Sequence, residues 1–224
     1  VKPVREVQGL KVNQVFIGSC TNGSYSDIRK AAAVLKGKVV HEDVSVTMAI
    51  SSRQIYRRLL SDGIIADLID SGVRLTELAC GACTGIGQAP ATNGISVRTS
   101  NRNFKGRGGT ADASLYLVSP EVAAATAVAG VLCTPDQVMD DVSVLGTIHE
   151  PDEYPIDDRM IIPPLSEEEA AKVEIIRGPN IKPLPINTPL PQEIAVPVAL
   201  KAGDNVSTDD ITPANAQFSS MRSN

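Results

Sequence analysis

Three cysteines and two arginines carry the chemistry in this sequence. Cys20 lies in G-S-C-T-N (18–22), Cys80 and Cys83 in C-G-A-C (80–83), and Arg102 and Arg107 in S-N-R-N-F-K-G-R (100–107). A C-x-x-C pair alone is ambiguous: it serves as a redox pair, as half a zinc site, or as two ordinary thiols. A structural zinc site needs a fourth Cys or His, and the only spare thiol, Cys133, ends an apolar stretch. His41 and His149 have no metal-ligand spacing. Three thiolates in glycine-rich loops also suit an iron–sulfur cluster, which cysteine thiolates hold. With three ligands on four irons, one iron stays open, as in catalytic metal sites. Two arginines beside an asparagine, Asn101, form either a solvated basic loop or a carboxylate clamp. A guanidinium offers paired donors that match a carboxylate.

The elements that must position these residues alternate in type. Val12 to Ile17, Val44 to Ile50, Arg74 to Leu78, Ile95 to Thr99 and Leu115 to Val118 read as strands. Helices are predicted from Ser24 or Ser26 to Leu35, from Arg53 to about Leu60, and over Ile64 to Asp70. A further helix starts at Ser119-Pro120 and runs to about Val131. Each chemistry-bearing piece follows a strand. Strands alternating with helices predict an α/β fold, a three-layer α/β/α sandwich with a mainly parallel sheet. Ligands of such sheets bind outside the carboxyl ends of the strands.

After about Ser143 the character changes. Residues 150–164 and 179–197 are proline-rich and read as extended linker, with a short capped helix over 166–173 between them. From Glu193 the pattern turns strand-like and leads into N-V-S-T-D-D-I-T-P-A. The expected organisation is a domain over 1–146, a linker over 147–192 and the incomplete start of a second domain over 193–224. The chain lacks an initiator Met and is read as part of a longer protein.

Composition narrows the function classes. A net charge of −5 and seven scattered aromatics argue against nucleic acid as the partner. No run approaches the length of a membrane span, and the N-terminus lacks a secretory signal's apolar core. Four cysteines in 224 residues do not make a disulfide scaffold, so a reducing compartment such as the cytoplasm is expected.

I-G-S-C-T-N, C-G-A-C, S-N-R-N-F-K-G-R and S-P-E-V-A-A-A-T-A-V-A-G, in this order, resemble the aconitase family. The resemblance covers roughly residues 12–131 and identifies the cluster-bearing third domain of that family. It implies a [4Fe-4S] cluster on Cys20, Cys80 and Cys83 and a small hydroxy di- or tricarboxylate as substrate. Asn101 is implied to lie near the cluster, and Arg102 and Arg107 to hold substrate carboxylate. The implied reaction is reversible loss and re-addition of water. Citrate/isocitrate through cis-aconitate in a single-chain enzyme is the preferred reading, with homoaconitase or isopropylmalate dehydratase activity as the alternative. G-D-N-V-S-T-D-D-I-T-P-A resembles the opening of the family's swivelling domain, which places Thr208 and Asp209 toward the active site and Arg222 as a substrate contact. The sequence departs from the family pattern at Ala82, where Pro is common, and at Gly23, where Ser is common. The acid–base residues lie in other domains, the remaining domains of the same enzyme are the expected partners, and this chain alone is expected to be inactive. A cluster-free RNA-binding module and a zinc or redox structural domain are the alternatives from other classes.

Overall fold

The computed structural model describes residues 1–206 and 208–211. It divides into two units, Val1–Ile156 and Asp157–Asp210. The first holds a five-stranded sheet in the order β3-β2-β1-β4-β5. The strands are β1 (Gln14–Gly18), β2 (Ser45–Ala49), β3 (Arg74–Thr76), β4 (Ile95–Arg98) and β5 (Ser114–Leu117), and every neighbouring pair is parallel. After a single turn, α1 (Val4–Val7), the helices of this unit are α2 (Tyr25–Leu35), α3 (Arg53–Ser61), α4 (Ile64–Asp70) and α5 (Pro120–Ala129).

The two faces of the sheet differ because successive side chains of a strand point to opposite sides. Val15 pairs with Val46 and Val97, and Ile17 with Met48. These residues join the apolar core together with Ile28 and Leu35 of α2, Leu59 of α3, Leu68 of α4 and the alanines of α5. The alternate residues form rows on the other face: Ser45, Gln14 and Ser96, then Thr47, Phe16 and Arg98. That face is mostly polar and buried.

The topology explains the division. The chain moves from β1 outward to β2 and β3 through α2 and then α3–α4. It returns from β3 across the sheet to β4 and β5 through residues 77–94 and 99–113, which hold only one short 3-10 turn (Ala82–Thr84). Right-handed crossovers that run in opposite directions must use opposite faces. The helices therefore cover the apolar face, and the irregular segments cover the polar one. The direction reverses between β1 and β4, and such a switch point opens a crevice at the strand ends.

Local signals set the helix starts. Ser24 accepts from Asp27 N, whose carboxylate returns to Ser24 N, a capping box. Ser52 and Ser119 cap α3 and α5, and Pro120 occupies the first position of α5.

Among residues 157–206 of the second unit, all but the half-buried Asp157 are exposed. It carries one capped turn of helix, α6 (Glu167–Ala170), which Ser166 and Glu169 close. The strand-like pattern from Glu193 forms no strand within the described residues 193–206. Its alternating apolar residues Ile194, Val196, Val198 and Leu200 are exposed. A strand needs a neighbour to take its hydrogen bonds, and Pro197 removes one donor. Residues 208–211 form a turn of helix, α7 (Thr208–Ile211), containing Thr208 and Asp209; Arg222 lies outside the described residues. Among the described residues no helix is long and apolar enough to cross a membrane.

Candidate active site

The site assembles at the carboxyl ends of the strands. β1 ends at Gly18, where φ is +98° and an added Cβ would stand 1.9 Å from Ala49 O. Only glycine accepts both conditions, so the chain end of β1 lies directly against that of β2. Ser19 follows with φ +106°, a conformation that costs free energy in a residue with a side chain. Together the two residues turn Cys20 out of the sheet. Thr99, just after β4, fastens this turn: its hydroxyl accepts from Gly18 N at 2.8 Å, and its carbonyl accepts from the Asn22 side chain. Gly23 has no room for a Cβ, which would lie 2.6 Å from Ser19 O. The loop here is drawn in tightly.

The second cysteine segment folds over the polar face. Thr84 Oγ1 donates to the carbonyls of Cys80 and Gly81 at 2.8 and 3.0 Å, which curls the C-G-A-C segment into its turn. Ala82 and Cys83 pack on Phe16 and Ala49. Gly85, at φ +88°, comes so close to the basic loop that a Cβ would meet Gly108 O at 2.1 Å. The cysteine loop and the arginine loop thus touch backbone to backbone.

One pocket of about 130 Å³ results, lined by Ser19, Cys20, Ala49, Ile50, Ser51, Leu78, Ala79, Cys80 and Cys83. Residues some sixty positions apart in sequence therefore present three thiols to one space. Cys20 and Cys80 are exposed and Cys83 is buried; all are free thiols. Among the described residues no three His, Cys, Asp or Glu side chains stand close enough for a single metal ion. A cluster is larger than an ion and spreads its ligands further apart, and its donor set is thiolate, the only titratable side chain on this wall. Ser19 Oγ is buried beside the thiols without a protein hydrogen-bond partner, an orphan donor that suits an anionic guest. The residues present therefore fit a cluster better than a lone ion. Cys133 stands apart in the helix-side core, where burial pushes its thiol up.

Asn101 and Arg102 are exposed on the loop after β4, and Arg107 is buried. None of the three is on the wall of the thiol pocket. Asp209 belongs to the second unit, and no side-chain placement is described for it.

The sequence reading passed over Arg98. It sits on the polar face of β4 and is fully buried. Its guanidinium donates to Ser96 Oγ at 2.8 Å, Gln14 Oε1 at 2.9 Å and the carbonyls of Ala82 and Cys83 at 3.3 Å. It also lies 5.8 Å from the centre of the Phe16 ring. Burial above all, opposed by the neighbouring Cys83 and reinforced by Arg107, pushes it down to about 10, so it is charged at neutral pH. The signal available in the sequence was its alternation with Ser96 on a strand whose other residues are apolar.

A sequence model of the aconitase family (aconitate hydratase) matches residues 1–130. The chain is 49% identical over 139 residues to the 3-isopropylmalate dehydratase large subunit of a Sulfurihydrogenibium species, covering 62% of this chain and 32% of that protein. It is 46% identical over 136 residues to the probable 3-isopropylmalate dehydratase large subunit of Methanothermobacter thermautotrophicus, covering 60% and 32%. Identity to the methanogen homoaconitase large subunit of Methanocaldococcus jannaschii is 45% over 131 residues, covering 58% and 31%. The chain thus matches about a third of the length of these relatives. Their names are those of the alternative reading, and each is a large subunit, whereas the sequence reading preferred a single-chain aconitase. The match runs from the first residue through the end of α5, across both cysteine loops and the arginine loop. On that ground the chain belongs to the aconitase family.

Proposed function

We propose that this chain is the cluster-bearing part of a hydro-lyase that reversibly removes water from a small hydroxy di- or tricarboxylate, of the isopropylmalate dehydratase or homoaconitase kind. The observation that carries this reading is the single pocket on which Cys20, Cys80 and Cys83 converge at the carboxyl edge of the sheet. Support for the substrate class comes from the names of the relatives and from the basic loop that abuts the cysteine loop at Gly85 and Gly108.

Cys20, Cys80 and Cys83 would hold a [4Fe-4S] cluster, which would supply Lewis acidity toward the substrate hydroxyl. The rest is the work of side chains and backbone. Gly18 and Ser19 turn Cys20 toward the pocket. Thr99 locks that turn to β4, so the spacing between the first and third pieces is fixed by the sheet. Arg102 and Arg107 bind substrate carboxylate, and Asn101 adds an amide donor to the same ligand. A carboxylate held by two guanidinium groups in a partly dry site is fixed in orientation as well as bound. The acid–base residues come from other parts of the protein.

A second reading, citrate/isocitrate interconversion in a single-chain enzyme, draws on the T-D-D segment at 208–210 that follows the linker in the same chain. Initial rates of double-bond formation with isopropylmalate, homoisocitrate, isocitrate and citrate, measured on the full-length protein loaded anaerobically, separate the two. Turnover of isopropylmalate or homoisocitrate above citrate and isocitrate is expected. Preference for citrate or isocitrate would move the assignment to the second reading, and no turnover of any would remove the hydro-lyase.

A further inference from the structure

Arg98 poses an energetic problem. All the hydrogen bonds of its guanidinium end on neutral oxygens: one hydroxyl, one side-chain amide and two peptide carbonyls. It forms no ion pair with a carboxylate among the described residues. A buried cation without an anion is costly, and a second buried guanidinium, Arg107, lies near enough to make the cost larger. The group close at hand that is anionic on the cluster reading is the ligand Cys83, whose own carbonyl Arg98 holds at 3.3 Å.

The geometry also joins both loops of the site. On one side Arg98 holds the carbonyls of Ala82 and Cys83. On the other, Gly108 of the basic loop comes so close that a Cβ there would stand 3.0 Å from Nη2 and 3.1 Å from Cζ. From below, Gln14 and Ser96 fix the guanidinium plane, and Gln14 donates from its amide to Gln88 O at 3.0 Å, beyond the cysteine loop. β1 and β4 carry the whole assembly through the Gln14–Ser96 pairing.

We infer that Arg98 is a positioning residue that fixes the C-G-A-C loop to the sheet and supplies a buried counter-charge to the thiolate site. The inference rests on the cluster reading given above. Groups around a metal site orient the ligands, and their loss weakens metal retention. Net charge near a cluster also sets its reduction potential: a cation stabilises the reduced, more negative form and raises the potential. Arg98→Gln keeps a hydrogen-bonding side chain and removes the charge. Arg98→Lys keeps the charge and loses the planar fork that bridges two carbonyls and Gln14.

The test uses the full-length protein and both variants, loaded anaerobically with iron and sulfide. Two quantities are read: the reduction potential of the cluster by EPR-monitored titration, and the rate of iron loss to a chelator. Arg98→Gln should give a more negative potential and faster iron loss, by about tenfold or more. Arg98→Lys should keep the wild-type potential and still lose iron faster. An Arg98→Gln cluster with wild-type potential and wild-type iron loss overturns the role of Arg98 and leaves the cluster reading intact. Failure of the wild-type protein itself to take up a cluster overturns the cluster reading, and the counter-charge role with it. Where Arg98→Gln does not fold, Arg98→Lys decides: faster iron loss at unchanged potential supports the role, and wild-type iron loss overturns it.

Discussion

At the scale of single residues, the site separates into side chains that announce themselves and side chains that do not. The sequence singles out Cys20, Cys80 and Cys83 because thiols in glycine-rich loops have few structural uses, and the fold brings all three onto one pocket. Arg98 was not legible. Its role depends on Gln14, 84 positions away, and on the carbonyls of a loop whose path the sequence does not state. The arginines of the basic loop looked alike in sequence, yet Arg107 is buried and Arg102 is exposed. Their consequences for catalysis should differ accordingly. Arg107→Gln in the full-length enzyme should raise KM and lower kcat together. The expected fall in kcat/KM is about thirtyfold, roughly 2 kcal/mol for a lost hydrogen bond to a charged group. Arg102→Gln should cost less, since an exposed pair is screened by water. Steady-state kinetics on the two variants checks this, and equal effects would contradict the difference in burial.

At the scale of elements, the five strands and four of the helices fall within about two residues of their sequence positions. The reason is local: Ser24, Ser52 and Ser119 cap helices, the run from Val15 to Ile17 is continuously apolar, and Val46 and Met48 alternate with Ser45 and Thr47. Strand order was not legible, because it depends on which face each crossover uses. The alternating pattern from 193 onward shows the other limit, a strand signal with no described neighbour to pair with. The apolar face of β1 should dominate stability. Ile17→Ala, fully buried, should cost about 2–5 kcal/mol, read as a lower urea midpoint at unchanged slope. A second measurement concerns Glu150, whose carboxylate accepts from Ser26 N at 2.9 Å and Ser26 Oγ at 2.6 Å in the first turn of α2. Burial works to raise this carboxyl. The bonds from Ser26, Tyr154 and Ser24 outweigh it and hold the group below its ordinary value of 4.5. Below 4.5 the unfolded chain binds more protons than the folded one, so stability present at higher pH is lost as pH falls. The advantage of wild type over Glu150→Gln should be small above pH 5, of order 0.5 kcal/mol after screening. It should shrink as the pH drops through the folded value. An advantage that grows on acidification would contradict the assignment.

At the scale of the whole molecule, the sheet places every chemistry-bearing piece at one edge, because parallel strands all end on the same side. The switch of direction between β1 and β4 opens that edge, with Cys20 after one strand and Asn101, Arg102 and Arg107 after the other. The family was legible from four ordered motifs, and the fold class from the alternation of strands with helices. Substrate choice was not: the sequence reading preferred citrate/isocitrate, and the relatives carry the names of the alternative. On the proposed reading the physical reason is that the motifs would bind what all these substrates share, a hydroxyl and a carboxylate, while the distinguishing end of each substrate would be read elsewhere. The central claim is that Cys20, Cys80 and Cys83 make one cluster site. Anaerobic reconstitution with iron and sulfide, followed by visible absorbance and EPR and run on wild type beside Cys80→Ser, tests it most directly. The account expects about four irons per wild-type chain, a four-iron cluster being the species proposed, and loss of the signal in Cys80→Ser with Cys133→Ser unaffected. A cluster that survives Cys80→Ser, or one that disappears with Cys133, would contradict it.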